Sequence, residues 1–589
     1  MPTLYPQVMG RQAMIATEHY LSAAAGARIF ARGGNHVDAA VAAALVEGIV
    51  NPHMHTIGGE APMLIYTAAT KRVVAINGNT AAPARATIAE FRARGLDLVP
   101  GQGLLAAGPP AAPGAFLHAL EHFGTRSLAE VAEPALQLCT DGFPMHAGLS
   151  GLSSSSDEPG NMAAAGTSIS GNAEKFTTRW PSSARVYMPN GRVPRPADII
   201  DNPALADFFR RLLDSEASAA HSGREAGLRA AADRFYRGDI ARDIVAHSDA
   251  HGGLLALEDL AAFTTRTETP ITAGYRGVSV FKCAPWSQGP VFLQQLRILE
   301  GFDLRKMGHN SADYIHTVVE AAKLAFADRE AFYGDPEFID VPLDGLLSDS
   351  YTALRRALVD PAHASLDYRP GDPRTPRALG EPLAHARSWG GGTVHVTAAD
   401  GAGNMIAITP SGGWIPSSPV IDALGFPLGT RLQTFYLDER HPNALVPHKR
   451  PRTTLTPSLA TRDGDPYLAF GTPGGDQQDQ WTLQFFLNVV DFGMSLQEAI
   501  EAPRFSSGHF PSSFYPHAAR PGYLAAESRI DPDVRESLAA RGHLVDTRPP
   551  WCEGYVLAVS VDPKRGLLYG GADPRGQAAS VMAAQVIGW

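Results

Sequence analysis

The 589-residue sequence predicts a layered α/β fold, and three segments carry that expectation. Val37–Gly48, VDAAVAAALVEG, is apolar nearly all round, as a helix buried on every side must be. Thr393–Thr397 alternates strictly and opens a hairpin. Tyr467–Phe470 is a β-rich run that enters the turn Gly471-Thr472-Pro473-Gly474-Gly475. Helical and extended signals alternate between these points.

Taken in order, the first helix follows Gly33-Gly34. Asn35 is its expected N-cap, Asp38 lies three residues on, and Gly48 is the expected stop. The Ser/Gly/Ala-rich stretch from Gly151 to Asn172, with Ser153 to Ser156, reads as loop. A second strong helix starts near Ser311. Ile315, Val318, Val319, Ala322 and Phe326 share one face, and Gly334-Asp335-Pro336 ends it. Asp360 to Gly392 reads as a weakly structured connector closing in Trp389-Gly390-Gly391-Gly392. Thr393, His395 and Thr397 then share one strand face, Asp400–Asn404 is a turn, and Met405–Thr409 is the returning strand. The hairpin therefore begins at a threonine preceded by three glycines.

Hydrophobic residues make up 44% and charged residues 19%, enough apolar side chain for a large core. The net charge of −10, with no basic stripe, excludes nucleic acid as an expected partner. Cys139, Cys283 and Cys552 are scattered, so neither a disulfide framework nor a cysteine zinc site is expected. The N-terminal residues lack an apolar leader segment and no run reaches the length of a membrane span. The expectation is a cytoplasmic protein without a membrane partner. His441 and His448 show no ligand spacing, so no catalytic metal and no cofactor are expected.

The chemistry centres on Gly392-Thr393. A threonine hydroxyl needs a base before it attacks. Cutting the bond before Thr393 would supply one, because a new α-amino group has a reference pKa of about 7.7–8.0 and would sit beside the hydroxyl. The glycines tolerate the bent backbone that an N→O acyl shift needs. Acyl transfer also needs oxyanion donors, and Gly474-Gly475 can present bare backbone N–H groups. In Lys449–Thr454, Thr453 and Thr454 place two hydroxyls beside strong positive charge, suited to an acyl group or carboxylate.

Together these segments resemble the γ-glutamyltransferase family over most of the chain. The likeness rests on GGNHVDAAVAAALVEGIVNPHMHTIGG (Gly33 to Gly59), PWSQGPVFLQQLRILEGFDL (to Leu304), EAAKLAFADREAFYGDPEF (Glu320 to Phe338), GGTVHVTAADGAGN, HPNALVPHKRPRTTLTPSLA, FGTPGG and DFGMSLQEAIEAPRF (Asp491 to Phe505). The resemblance implies a four-layer αββα sandwich of the N-terminal-nucleophile hydrolase type. It also implies self-cleavage into a large subunit, 1–392, and a small subunit, 393–589, held together without a covalent link. Thr393 corresponds to the nucleophile, Ser411 to a hydroxyl residue supporting its amino group, Thr453 and Thr454 to substrate-contacting serines, and Gly474 and Gly475 to the oxyanion glycines.

The departures are equally specific. Asn79, in Asn77–Pro83, stands where the family has an arginine for the substrate α-carboxylate. Thr434, in Gly429–Phe435, stands where an aspartate holds the α-amino group. Gly413 replaces an asparagine, and a four-glycine segment reads Gly58-Gly59-Glu60-Ala61. A charge-assisted hydrogen bond contributes about 1.5–3 kcal/mol, so losing both anchors weakens a γ-glutamyl head by about 3 kcal/mol or more, over a hundredfold. Arg431 and Arg452 are candidates for a substrate carboxylate instead, and Asp476 and Glu60 for a cation or amide N–H. His395 is expected to orient the hairpin. The leading expectation is thus an amidase or acyltransferase acting on a small carboxylate-bearing amide that is not γ-glutamyl. The alternatives are a true γ-glutamyltransferase or glutathione hydrolase, and an uncleaved, catalytically silent homologue with a binding role.

Overall fold

Two seven-stranded sheets stacked face to face organise the computed structural model, which describes residues 3–152, 166–374, 392–575 and 584–589. The first sheet runs Gln585–Gly588, Ala13–Thr17, Val396–Asp400, Met405–Ile408, Met63–Thr67, Arg72–Asn77 and Arg266–Glu268. The second runs Val8–Gly10, Leu567–Gly571, Leu557–Asp562, Asp465–Gly471, Ser458–Arg462, Val278–Lys282 and Ile271–Tyr275. Every pairing within the two sheets is antiparallel.

The two-residue period of a strand decides which layer each side chain joins. Met14, Ala16, Leu64, Tyr66, Ala399, Met405 and Ala407 meet Leu459, Ala469, Leu557 and Val559 between the sheets. Their neighbours Ile15, Met63, Ile65, Ala398, Ile406 and Ile408 point the other way. They pack on a helical layer that includes His36–Val50, Ala112–Phe123 and Leu128–Asp141. On the far side Val280, Ala460, Leu468, Phe470 and Ala558 pack on Pro290–Leu299, Ala312–Phe332 and Gln478–Val490. The architecture is the four-layer αββα sandwich.

Local expectations fare unevenly. Asn35 caps its helix through a reciprocal box with Asp38, and Ser311 caps Ala312–Phe332. Gly48 is not a stop: the helix continues through it to Val50, and Gly48 is not among the glycines with positive φ that a helix-ending cap uses. Asn51 and Pro52 end it instead. Strand pairing after Thr393 begins at Val396, not at Thr393 itself. Residues 153–165, with the serine run Ser153–Ser156, and the connector residues 375–391, with Trp389, Gly390 and Gly391, lie outside the described residues. Ile169–Asn172, expected as loop, instead open the helix Ile169–Thr178, because Ser168 caps it through Gly171 N. Among the described residues no helix is long and apolar enough to cross a membrane. The three cysteines are free.

One topological fact positions the site. Val396–Asp400 lies between Ala13–Thr17 and Met405–Ile408, and Met405–Ile408 pairs in turn with Met63–Thr67. Segments from before and after residue 392 are therefore interleaved within one sheet.

Candidate active site

Thr393 and Ser411 face each other as an antiparallel bridge just beyond the hairpin's last regular pair, Val396 and Ile408. Both are buried. The Thr393 hydroxyl donates to Ser411 Oγ at 3.2 Å, and Ser411 Oγ donates to the Gly392 carbonyl oxygen at 2.7 Å. The Trp414 indole N–H donates to the same carbonyl. Ser411 is fixed from the other side by Glu60, with Glu60 N to Ser411 O at 2.7 Å and Ser411 N to Glu60 O at 2.9 Å. Gly413 allows this crowding: it sits at φ 62°, and a Cβ there would lie 2.3 Å from Thr56 Oγ1.

Ser411 Oγ also accepts from Arg431 Nη2 at 2.8 Å. Arg431 in turn reaches Glu60 Oε2 through Nε at 3.2 Å and Nη2 at 3.1 Å. Burial pushes the Glu60 carboxyl up, and the Arg431 charge pulls it back down. Arg431 Nη1 is buried without an acceptor among the described residues. The guanidinium lies over the rings of Trp414 and Phe514, 5.3 and 5.6 Å from their centroids.

Phe514 connects this group to the second glycine turn. Its ring lies 6.1 Å from that of Trp414, and a Cβ on Gly475 would stand 3.1 Å from it. Gly474 has φ 127°, and a Cβ there would strike the Trp481 ring at 2.1 Å. Gly475 opens the short 3₁₀ turn Gly475–Gln477, so its N–H stands at a helical N-terminus without a partner inside the turn. A cavity of about 600 Å³ opens beside Gln433 and Tyr515, close in sequence to Arg431 and Phe514.

The remaining candidates from the sequence are engaged with the chain itself. Asn79 donates to the Pro451 carbonyl at 2.6 Å. Thr434 donates to the Arg431 carbonyl at 3.0 Å. Arg452 pairs with Glu330 at 2.7 Å. Asp476 pairs with Arg329 and accepts from Ser513 N at 2.9 Å and Ser513 Oγ at 2.7 Å. The cations expected for Glu60 and Asp476 are thus supplied by Arg431 and Arg329. Thr453 is tied through its backbone to Trp286 and Gln288, whereas the neighbouring Thr454 hydroxyl is buried without a partner among the described residues.

His395 is buried within the hairpin's support. Burial lowers its pKa to about 3, and Nδ1 meets Thr409 Oγ1 at 3.0 Å. Its backbone N–H donates to Glu18 at 3.0 Å. Glu18 is pushed well up by burial and by Glu47, itself raised by burial to about 7. A grouping that sequence spacing missed is His316, Glu320 and His543, whose ligand atoms lie within 4.8 Å of one another. His316 Nδ1 meets His543 Nε2 at 2.9 Å, and Glu320 already carries Lys323 at 2.6 Å and Arg369 at 2.9 Å. Two cations on the one carboxylate oppose a divalent ion there. Trp414 and Phe514 were also missed; an indole three residues after a hydroxyl residue carries no recognised signal.

The antiparallel αββα sandwich is the fold of the N-terminal-nucleophile hydrolases, enzymes of amide hydrolysis and acyl transfer. Within that class the chain belongs to the gamma-glutamyltranspeptidase family, whose sequence profile matches residues 22–583. It is 32% identical over 578 residues to the glutathione hydrolase-like YwrD proenzyme of Bacillus subtilis (strain 168), covering 98% of this chain and 99% of that one. The solved structure of LmbA2991HD superposes with a TM-score of 0.91 at 42% identity, covering 100% of both chains. The cephalosporin acylase from Bacillus halodurans gives 0.83 at 29% identity, covering 100% of this chain and 98% of that one.

Proposed function

We propose that the chain is a precursor cut between Gly392 and Thr393, and that the mature form uses Thr393 to cleave a small amide. The observation that carries this reading is the contact sequence at the bond itself: Thr393 Oγ1 to Ser411 Oγ, and Ser411 Oγ to the Gly392 carbonyl. The pieces 1–392 and 393–589 would stay together because their strands alternate within the first sheet.

In turnover the freed Thr393 amine takes the proton of its own hydroxyl, and Oγ1 attacks the substrate carbonyl carbon. The Gly474 and Gly475 amides receive the oxyanion. The amine leaves with a proton, and water or a second amine resolves the ester. Arg431 Nη1, the donor without an acceptor, holds an oxygen at the far end of the acyl group, best a carboxylate. Thr453 and Thr454 line the acyl group.

The acyl group is not γ-glutamyl in this reading. Asn79 and Thr434 stand at the two head-group positions, and both are spent on the chain's own carbonyls. The likeness to a cephalosporin acylase supports an acyl substrate other than glutathione. The test is to compare hydrolysis of glutaryl, oxamate-like and γ-glutamyl amides of one aromatic amine. Higher kcat/KM on the glutaryl or oxamate-like amide is expected. Preference for the γ-glutamyl amide would overturn the assignment in favour of a glutathione hydrolase.

A further inference from the structure

We infer that the maturation cut has its own oxyanion site, formed by the Trp414 indole N–H with the Ser411 hydroxyl, and that Trp414 is a catalytic residue of that step. The inference rests on the reading of Gly392–Thr393 as the bond that is cut. Two donors converge on the Gly392 carbonyl oxygen, Ser411 Oγ at 2.7 Å and Trp414 Nε1. A carbonyl oxygen with two lone pairs accepts both, and both strengthen as that oxygen gains negative charge. The Gly474 and Gly475 amides are not among its donors.

The indole is held for this purpose. Trp414 is fully buried, and it is sandwiched by the Arg431 guanidinium on its face and the Phe514 ring beside it. The backbone on its two sides is pinned as well, since the Gly413 carbonyl accepts from Thr56 Oγ1 at 2.7 Å and Ile415 N donates to the Pro52 carbonyl at 3.1 Å. Gly392 is fixed opposite it: a Cβ there would stand 2.6 Å from Met54 Cα and 2.7 Å from the His53 carbonyl. The scissile carbonyl therefore has one place to sit, and the indole N–H already points at it.

The step balances without an added base. Thr393 Oγ1 bonds to the Gly392 carbonyl carbon, and the carbonyl π pair moves onto oxygen. The Thr393 proton passes to Ser411 Oγ while the Ser411 proton passes to that oxygen, and the indole N–H stabilises the charge in transit. As the C–N bond breaks, the tetrahedral hydroxyl returns its proton to Ser411 Oγ, re-forming the carbonyl, and the Ser411 proton passes to the departing Thr393 nitrogen, leaving an ester on Thr393 and a free amine. Water then hydrolyses the ester to a Gly392 carboxylate and the Thr393 hydroxyl.

The test follows the full-length chain after cell-free synthesis, for wild type, for Trp414→Phe, and for a chain carrying benzothienylalanine at position 414. The last keeps the ring's size and replaces N–H by sulfur. Loss of one oxyanion donor slows such a step about 10²–10³-fold, so both altered chains should persist uncut about a hundred times longer. Both should then yield a fragment beginning at Thr393. Processing of the benzothienyl chain at the wild-type rate would overturn the inference, whatever Trp414→Phe does. A wild-type fragment that begins at another residue would remove the underlying reading, and the inference with it.

Discussion

Replacing Arg431 by methionine isolates the ion pair at the centre of the site. Arg431 and Glu60 have side chains 1% and 2% exposed, so neither charge has water as a substitute partner. Met keeps much of the apolar stem over Trp414 and Phe514 but strips Glu60 of its one cation among the described residues and Ser411 Oγ of a donor. Breaking one side of a buried pair costs about 3–5 kcal/mol. The Glu60 carboxyl, already raised by burial, rises further and escapes part of the cost by taking up a proton. Its folded pKa then stands above its unfolded value, so the penalty is smallest at acid pH and grows as pH rises through the folded pKa. Removing both charges, as Glu60→Gln with Arg431→Met, should return most of the loss. The assay is the urea midpoint by circular dichroism at pH 5 and pH 8, in a Thr393→Ala background that keeps one uncut chain. An Arg431→Met midpoint equal to the parent's, or a double variant no better than the single, would refute the reasoning.

Ser411→Ala removes the relay and one donor from the Gly392 carbonyl, and should slow the cut about 10²–10³-fold, whereas Ser411→Thr keeps the hydroxyl and most of the rate. A gel time course of the full-length band reads both. Gly392→Ala drives a Cβ into the Met54 and His53 backbone, so the full-length chain should accumulate; efficient cutting would show that the cradle is not rigid. Glu553, fully buried between Ser506 and Trp481, is raised by burial from 4.5 to about 7. That contribution is complete below about pH 4.5 and lost as pH rises through about 7, a change of about 3 kcal/mol. Glu553→Gln should flatten the fall in stability between pH 5 and pH 8.5, measured by thermal unfolding, and an unchanged profile would contradict the shift.

Local signals in the sequence carried the frame of the molecule. The Asn35–Asp38 box, the Ser311 cap and the alternation after Thr393 each depend on residues within a few positions. Gly48 is a weak stop signal because a glycine ends a helix only where the backbone turns to positive φ, and here it keeps helical geometry. At the site, Thr393 was suggested by the glycines before it and the alternation after it, and Ser411 by the family resemblance; the two meet because they lie on one hairpin. The long-range pairings were not legible. Glu330 captures Arg452 from 122 positions away, and Glu60 holds Arg431 from 371 through Nε and Nη2, so that Nη1 is the Arg431 donor left without an acceptor among the described residues. Trp414 was silent because its role depends on which way an indole turns.

The proposed chemistry requires residue 393 to become a chain terminus. Intact mass together with N-terminal sequencing of the purified protein tests it directly. Two fragments spanning 1–392 and 393–589, the second starting Thr393-Val394-His395, are predicted. A single full-length mass after prolonged incubation, or a second fragment with any other first residue, would contradict it.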